Sequence, residues 1–203
     1  MRWRWLSGPG GADRVVTVFG GWAAGPAALA HLTGADVLYV EDWRDLDADL
    51  PNLSGYARRD LVAWSFGVAA YGHWQAGRET AFDRRIALCG SPAPVDRAMG
   101  IPPAIFQRTR DRLDPVTLAS FLDRIGAPPV ASADIPALRD ELDAVAARGP
   151  ASDVAWDRVV IATGDRIFPP ANLHRAFAGR TVEEVDAPHT PFDLWSRWEE
   201  VTG

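Results

Sequence analysis

The stretch Leu61-Val62-Ala63-Trp64-Ser65-Phe66-Gly67-Val68-Ala69-Ala70 restricts the folds open to this chain more than any other. Apolar residues up to Trp64 suit a strand covered on both faces, and the small and apolar residues after Gly67 suit a helix packed back onto the sheet. Ser65 then stands on the turn between them. In such an elbow the serine hydroxyl is pushed out at the carboxyl edge of the sheet, and small residues two before and two after it let strand and helix approach closely. Ala63 and Gly67 fill those places, Ala63 where glycine is usual. The match is short, and a serine among small residues at a helix start also reads as an ordinary N-cap. The rest of the chain decides between the two.

Short apolar runs recur on both sides of the elbow. Trp3 and Trp5 share one face of an edge strand that Ser7-Gly8-Pro9-Gly10-Gly11 breaks, and Arg14 to Phe19 is a β-branched strand turned by Gly20-Gly21-Trp22 into a helix from Pro26 to His31. Asp36 to Val40 and Arg85 to Cys89 are further strands; Glu41 to Asp49 reads as a solvated loop. From Pro92 to about Pro150 the rhythm changes to helical patterns at Ala104–Arg112, Pro115–Ile125 and Ile135–Ala147, separated by prolines. Strand character returns at Arg158–Thr163, followed by a helix from Pro170 to Phe177, a strand from Val182 to Val185 and a helix from about Phe192 to Val201. Alternating strands and helices predict one α/β domain over residues 1–203, a mostly parallel sheet with helices on both faces, and a helical insertion at about 92–150 over the sheet edge.

A serine hydroxyl is a poor nucleophile at neutral pH and needs a base to take its proton and an acid to orient that base. His189, in Asp186-Ala187-Pro188-His189-Thr190-Pro191-Phe192, follows the last strand; Asp165, in Thr163-Gly164-Asp165-Arg166-Ile167-Phe168-Pro169, follows the one before. Both then project at the edge that carries Ser65. The chain order Ser, Asp, His is that of the hydrolases built on this elbow. Asp186 is a reserve acid better suited to its own turn. Acyl hydrolysis also needs two backbone donors for the developing oxyanion, and the Trp22 and Phe66 amides suit that role.

Other chemistries find less support. No G-x-x-x-x-G-K-[ST] or G-x-G-x-x-G run is present, so the glycines do not mark a phosphate loop. His31, His73, His174 and His189 lack metal-ligand spacing, so no metal is expected. A net charge of -6, with every basic residue an arginine, does not invite nucleic acid. Cys89 is the single cysteine, which excludes an intrachain disulfide; its place at a strand end favours a buried thiol, and a reducing cytoplasm is expected. No apolar run reaches the length of a membrane span.

Taken together, Phe19-Gly20-Gly21-Trp22, Asp42-Trp43-Arg44-Asp45-Leu46, Val62 to Val68, Gly90-Ser91-Pro92, Pro94-Val95-Asp96, Gly100-Ile101-Pro102, Gly164 to Pro169 and Pro188 to Phe192 give the chain a nearly end-to-end likeness. It resembles the BioG-type pimeloyl-acyl-carrier-protein methyl ester esterases of biotin synthesis, small members of the α/β-hydrolase fold. The resemblance implies Ser65 as nucleophile, His189 as base, Asp165 as acid, the Trp22 and Phe66 amides as oxyanion donors, and no cofactor. Ala23 departs from the glycine common after that tryptophan.

A substrate tethered to an acyl carrier protein needs an apolar channel and a basic rim. Trp22, Ile105 and Phe106 are candidates for the channel. Arg108, Arg110 and Arg112, with Arg97 and Arg124, are candidates for the carrier, although alternate spacing spreads the first three around a helix as an ordinary solvated surface would. Two other readings stay open: a general short-chain carboxylesterase or thioesterase, and a non-catalytic relative that binds an acyl ligand.

Overall fold

A computed structural model describes residues 1–79 and 81–203. Seven strands form one sheet: β1 (Arg2–Ser7), β2 (Arg14–Phe19), β3 (Asp36–Glu41), β4 (Arg58–Trp64), β5 (Arg84–Leu88), β6 (Arg158–Ala162) and β7 (Glu183–Val185). Their order across the sheet is β1-β3-β2-β4-β5-β6-β7. Only β1, at the edge, runs antiparallel to its neighbour; the other pairs are parallel. Six strands, β2 to β7, therefore end on one edge, with Phe19 beside Val40 and Ala63, Trp64 beside Leu88 and Ala162 beside Val185.

β4 lies at the centre, and Leu61, Val62, Ala63 and Trp64 are all fully buried. Because successive side chains point to opposite faces, helices must cover both. Helix α1 (Gly67–Gln75) packs on β2 and β4, α5 (Pro170–Ala176) on β6, and α6 (Trp198–Thr202) on β4 and β5. Between β5 and β6 come α2 (Pro103–Asp111), α3 (Pro115–Ile125) and α4 (Ile135–Arg148). Their ends follow local chemistry. Asp114 and Thr117 cap α3 reciprocally, Gly126 closes it in the left-handed conformation at φ 72°, and the Asp134 carboxylate accepts the Ala137 N–H at 3.0 Å to start α4.

Three expectations change. The helix expected from Pro26 to His31 is one 3-10 turn, Ala27–Leu29, and the last helix is split into a 3-10 turn, Pro191–Leu194, and α6. The break has a tertiary cause: Thr33 forms an isolated β-bridge with Arg197, drawing the chain straight just before α6. The run Glu41 to Asp49 is not simply solvated, because Trp43 is buried and stacks on Phe19 with ring centroids 5.6 Å apart.

Candidate active site

The elbow is built under constraint. Ser65 sits at φ +60°, a left-handed conformation that costs a non-glycine residue about 1–2 kcal/mol. Its neighbours allow no slack: a Cβ on Gly67 would overlap the Phe19 carbonyl, and one on Gly90 would overlap the Ser65 carbonyl. The Ser65 N–H donates to Leu88 O at 3.0 Å, so the elbow is tied to β5 while α1 begins at Gly67. Ala63 is accommodated with its methyl fully buried.

Loops after β6 and β7 bring the other two groups to Ser65. His189 Nε2 lies 2.9 Å from Ser65 Oγ, and Nδ1 lies 2.7 Å from Asp165 Oδ2. With the proton on Nδ1, directed at the carboxylate, Nε2 is free to accept from the hydroxyl. The second Asp165 oxygen accepts the Ile167 and Phe168 N–H groups at 2.8 and 3.0 Å, which fixes the carboxylate plane. The imidazole is held between Phe168, whose ring is nearly parallel at 5.9 Å, and Trp64, whose indole N–H donates to the His189 carbonyl at 3.0 Å. Ser65, Asp165 and His189 are all buried. Asp186 is exposed and makes no hydrogen bond with His189.

The loop after β2 abuts this chain of bonds. A Cβ on Gly21 would stand 3.3 Å from the Ser65 Cβ, so the missing side chain lets the loop close in. Neither the Trp22 nor the Phe66 backbone N–H has a hydrogen-bond partner among the described residues. Ala23, where glycine was expected, occupies φ +61°. The Trp22 side chain is anchored outward, its indole N–H donating to Leu138 O of α4 at 3.0 Å and its ring edge meeting Phe121 of α3.

Ser65 opens into a narrow cavity of about 50 Å³ whose wall includes Trp22, Phe66, Ile105, Phe106, Phe121 and Leu142. Ile105 and Phe106 are thus both at the pocket. The sequence reading missed Phe121, Leu142, Ile167 and Arg166, which share it; long-range folding alone brings them there, although Arg166 and Ile167 adjoin Asp165 in the motif. Of the candidate carrier-facing arginines, Arg110 is committed within the chain, its guanidinium 2.6 Å from the Asp143 carboxylate and also paired with Asp111. Arg97, Arg108, Arg112 and Arg124 are exposed, without an ion pair among the described residues.

The remaining candidates fall outside the site. Cys89 is a buried free thiol whose pKa burial raises well above the usual range, with the nearby Asp165 charge adding to the effect. His31 and His73 bond backbone carbonyls, and His174 pairs with Glu184 on the surface. Among the described residues no three His, Cys, Asp or Glu side chains are grouped to hold a metal, and no helix is long and apolar enough to cross a membrane.

A parallel sheet of this order, with its serine elbow at the central strand's carboxyl end, defines a member of the α/β-hydrolase fold. The crystal structure of a lipase-esterase related protein from Clostridium acetobutylicum shares that fold, with a TM-score of 0.65 at 10% identity over 98% of each chain. The chain belongs to the BioG family, whose model, described as pimeloyl-ACP methyl esterase BioG, matches residues 1–201. The crystal structure of BioG from Haemophilus influenzae superposes over the whole of both chains with a TM-score of 0.87 and 28% identity. A Bacteroides fragilis protein named malonyl-[acyl-carrier protein] O-methyltransferase is 32% identical over 187 residues; the match covers 84% of this chain and 38% of that protein.

Proposed function

We propose that this hydrolase is a serine esterase that cleaves the methyl ester of pimeloyl-acyl-carrier protein to methanol and the free carboxylate, a step that serves biotin synthesis. The observation that carries the reading is the unbroken hydrogen-bonded run Ser65–His189–Asp165, whose serine opens into a largely apolar cavity, in a chain of the BioG family. Hydrolysis is preferred to methyl transfer because a hydroxyl hydrogen-bonded to a buried imidazole suits acyl transfer to water. The match to the named methyltransferase also leaves most of that protein unspanned.

In the first step Ser65 Oγ attacks the ester carbonyl as its proton passes to His189 Nε2. The negative oxygen is received by the Trp22 and Phe66 N–H groups, and Asp165 stabilises the imidazolium. Collapse breaks the carbon–methoxy bond, and methoxide leaves as methanol with the proton from His189. Water then gives a proton to His189 and attacks the acyl-Ser65 ester. The second collapse releases the acid and returns the proton to Ser65 Oγ, so the sequence balances without a cofactor.

The cavity at Ser65 is well below the roughly 300–1,000 Å³ of ordinary ligand pockets, which supports treating residues 92–150, with α2 to α4, as a lid that parts for the acyl chain. The exposed guanidinium groups of Arg97, Arg108, Arg112 and Arg124 suit an acidic carrier protein; Arg110 contributes less because Asp143 holds it. The buried Cys89 thiol fits a reducing, cytoplasmic setting.

The test is methanol release from a carrier-bound pimeloyl methyl ester, compared with the same ester lacking the carrier. Ser65→Ala should abolish release, and Asp165→Asn should lower kcat by about 10³–10⁴-fold through loss of the correct imidazole tautomer. Equal turnover of the carrier-free ester would mean a general esterase. No turnover of either, with no labelling of Ser65 by a fluorophosphonate, would mean a binding protein.

A further inference from the structure

Among the described residues, the wall of the Ser65 cavity holds two arginines and no carboxylate, in a chain whose net charge is -6. Arg124 belongs to the last turn of α3, and Arg166 directly follows Asp165. Both are exposed residues of that wall, so they stand where the cavity meets solvent. Neither guanidinium has an ion pair or a hydrogen bond among the described residues. Arg97, Arg108 and Arg112 share that freedom but do not line the cavity. Thr109, the other polar side chain there besides Ser65, is already committed, its hydroxyl donating to Ile105 O at 3.1 Å.

Both arginines start from backbone tied to the catalytic residues. Ile125 O, one position after Arg124, accepts the N–H of Thr190, next to His189, at 3.0 Å. Gly126 lies so close to the same loop that a Cβ on it would stand 2.9 Å from Pro188 Cγ. The end of α3 is thus fastened to the loop of His189, whatever the rest of the insertion does. Arg166 is held in place by its neighbours, because Asp165 accepts the Ile167 and Phe168 N–H groups around it.

Hydrolysis changes the charge of what the cavity holds. A methyl ester is neutral, whereas the acid released from acyl-Ser65 ionises at neutral pH. An apolar wall alone expels a carboxylate, but a guanidinium offers it two parallel N–H donors and a full charge. We propose that Arg124 and Arg166 form a carboxylate-binding subsite that retains the linear acyl acid at Ser65 after hydrolysis, so that the enzyme is inhibited competitively by its own product. This rests on the reading of Ser65 as the nucleophile of an ester hydrolase.

The readout is inhibition of p-nitrophenyl acetate hydrolysis by three small molecules. Heptanoate carries the product's carboxylate on a chain of the same length, heptanamide is its neutral isostere, and acetate keeps the charge without the chain. Heptanoate is expected to compete with an inhibition constant about tenfold below that of heptanamide, and the double variant Arg124→Gln/Arg166→Gln should lose this difference. Comparing the two inhibitors within one variant makes the result independent of its basal rate. Raising sodium chloride from about 50 mM to about 500 mM should weaken heptanoate and leave heptanamide unchanged, because exposed guanidinium groups are screened. That series reads the same charge in the wild type, with no substitution to disturb folding. Equal inhibition by heptanoate and heptanamide, a difference that survives in the double variant or ignores salt, or acetate as potent as heptanoate overturns the proposal and leaves the esterase reading intact. A wild type that neither hydrolyses the ester nor labels at Ser65 with a fluorophosphonate overturns both.

Discussion

Ser65 and Ala23, two of the four non-glycine residues that hold left-handed backbone among the described residues, do so for different reasons. Ser65 must keep its hydroxyl, so its φ of +60° is a cost that the packed elbow imposes and function requires. Ala23, at φ +61°, carries only a methyl group. Ala23→Gly is therefore expected to stabilise the protein by about 0.5–1 kcal/mol in urea unfolding with turnover retained, because removing Cβ relieves the strain at a small entropic cost. At this scale the sequence was readable wherever chemistry is local. Ser65, Asp165 and His189 each lie just past a strand and within two positions of a small residue or a proline, so their shared edge followed from the strands alone. Glu141 was unreadable for the converse reason: between Arg139, Asp140 and Asp143 it looks like one more solvated charge, and only the tertiary fold buries it.

Elements were legible where their signals sit at their own ends. Helix α3 begins at Pro115 and ends at Ile125 as expected, because Asp114, Pro115 and Gly126 specify its limits locally. The helix expected after Pro26 failed because nothing caps it: Pro26 makes no side-chain cap bond, and the turn closes after Leu29. For α4 the same buried carboxyl group makes a prediction about stability. Its folded pKa, about 7, lies above that of the unfolded chain, so the native state keeps a proton the unfolded state has lost. Stability from this group is full below about pH 4.5 and is lost as pH rises through about 7. Urea unfolding of wild type and Glu141→Gln at pH 5 and pH 8 should show the wild type losing stability on going to pH 8 and the variant losing less. Equal slopes would place Glu141 ionised throughout.

Across the whole molecule, the two edges of the sheet divide the work. The carboxyl edge carries Ser65, while at the start of β4 the fully buried Asp60 binds Arg14 at 2.5 Å and Arg58 at 3.0 Å, and Arg14 also reaches Thr202 of α6. Asp60→Ala leaves a mostly buried guanidinium unpaired and is expected to cost about 3–5 kcal/mol of stability, with kcat per folded molecule unchanged. Chemical denaturation and active-site titration check the two halves of that statement separately.

Ser65 and His189 are 124 positions apart in the chain, and the strands that present them are separated in the sheet by β5 and β6. Helix α1, by contrast, needs only near neighbours to form. During refolding from denaturant, helical signal should therefore return before ester hydrolysis, because the bond that completes the reactive chain waits for the most distant strand pairings. The hydroxyl gains its base at the end of that sequence, so an immature chain carries no loose hydrolytic activity. Recovered turnover marks the moment at which the topology has closed.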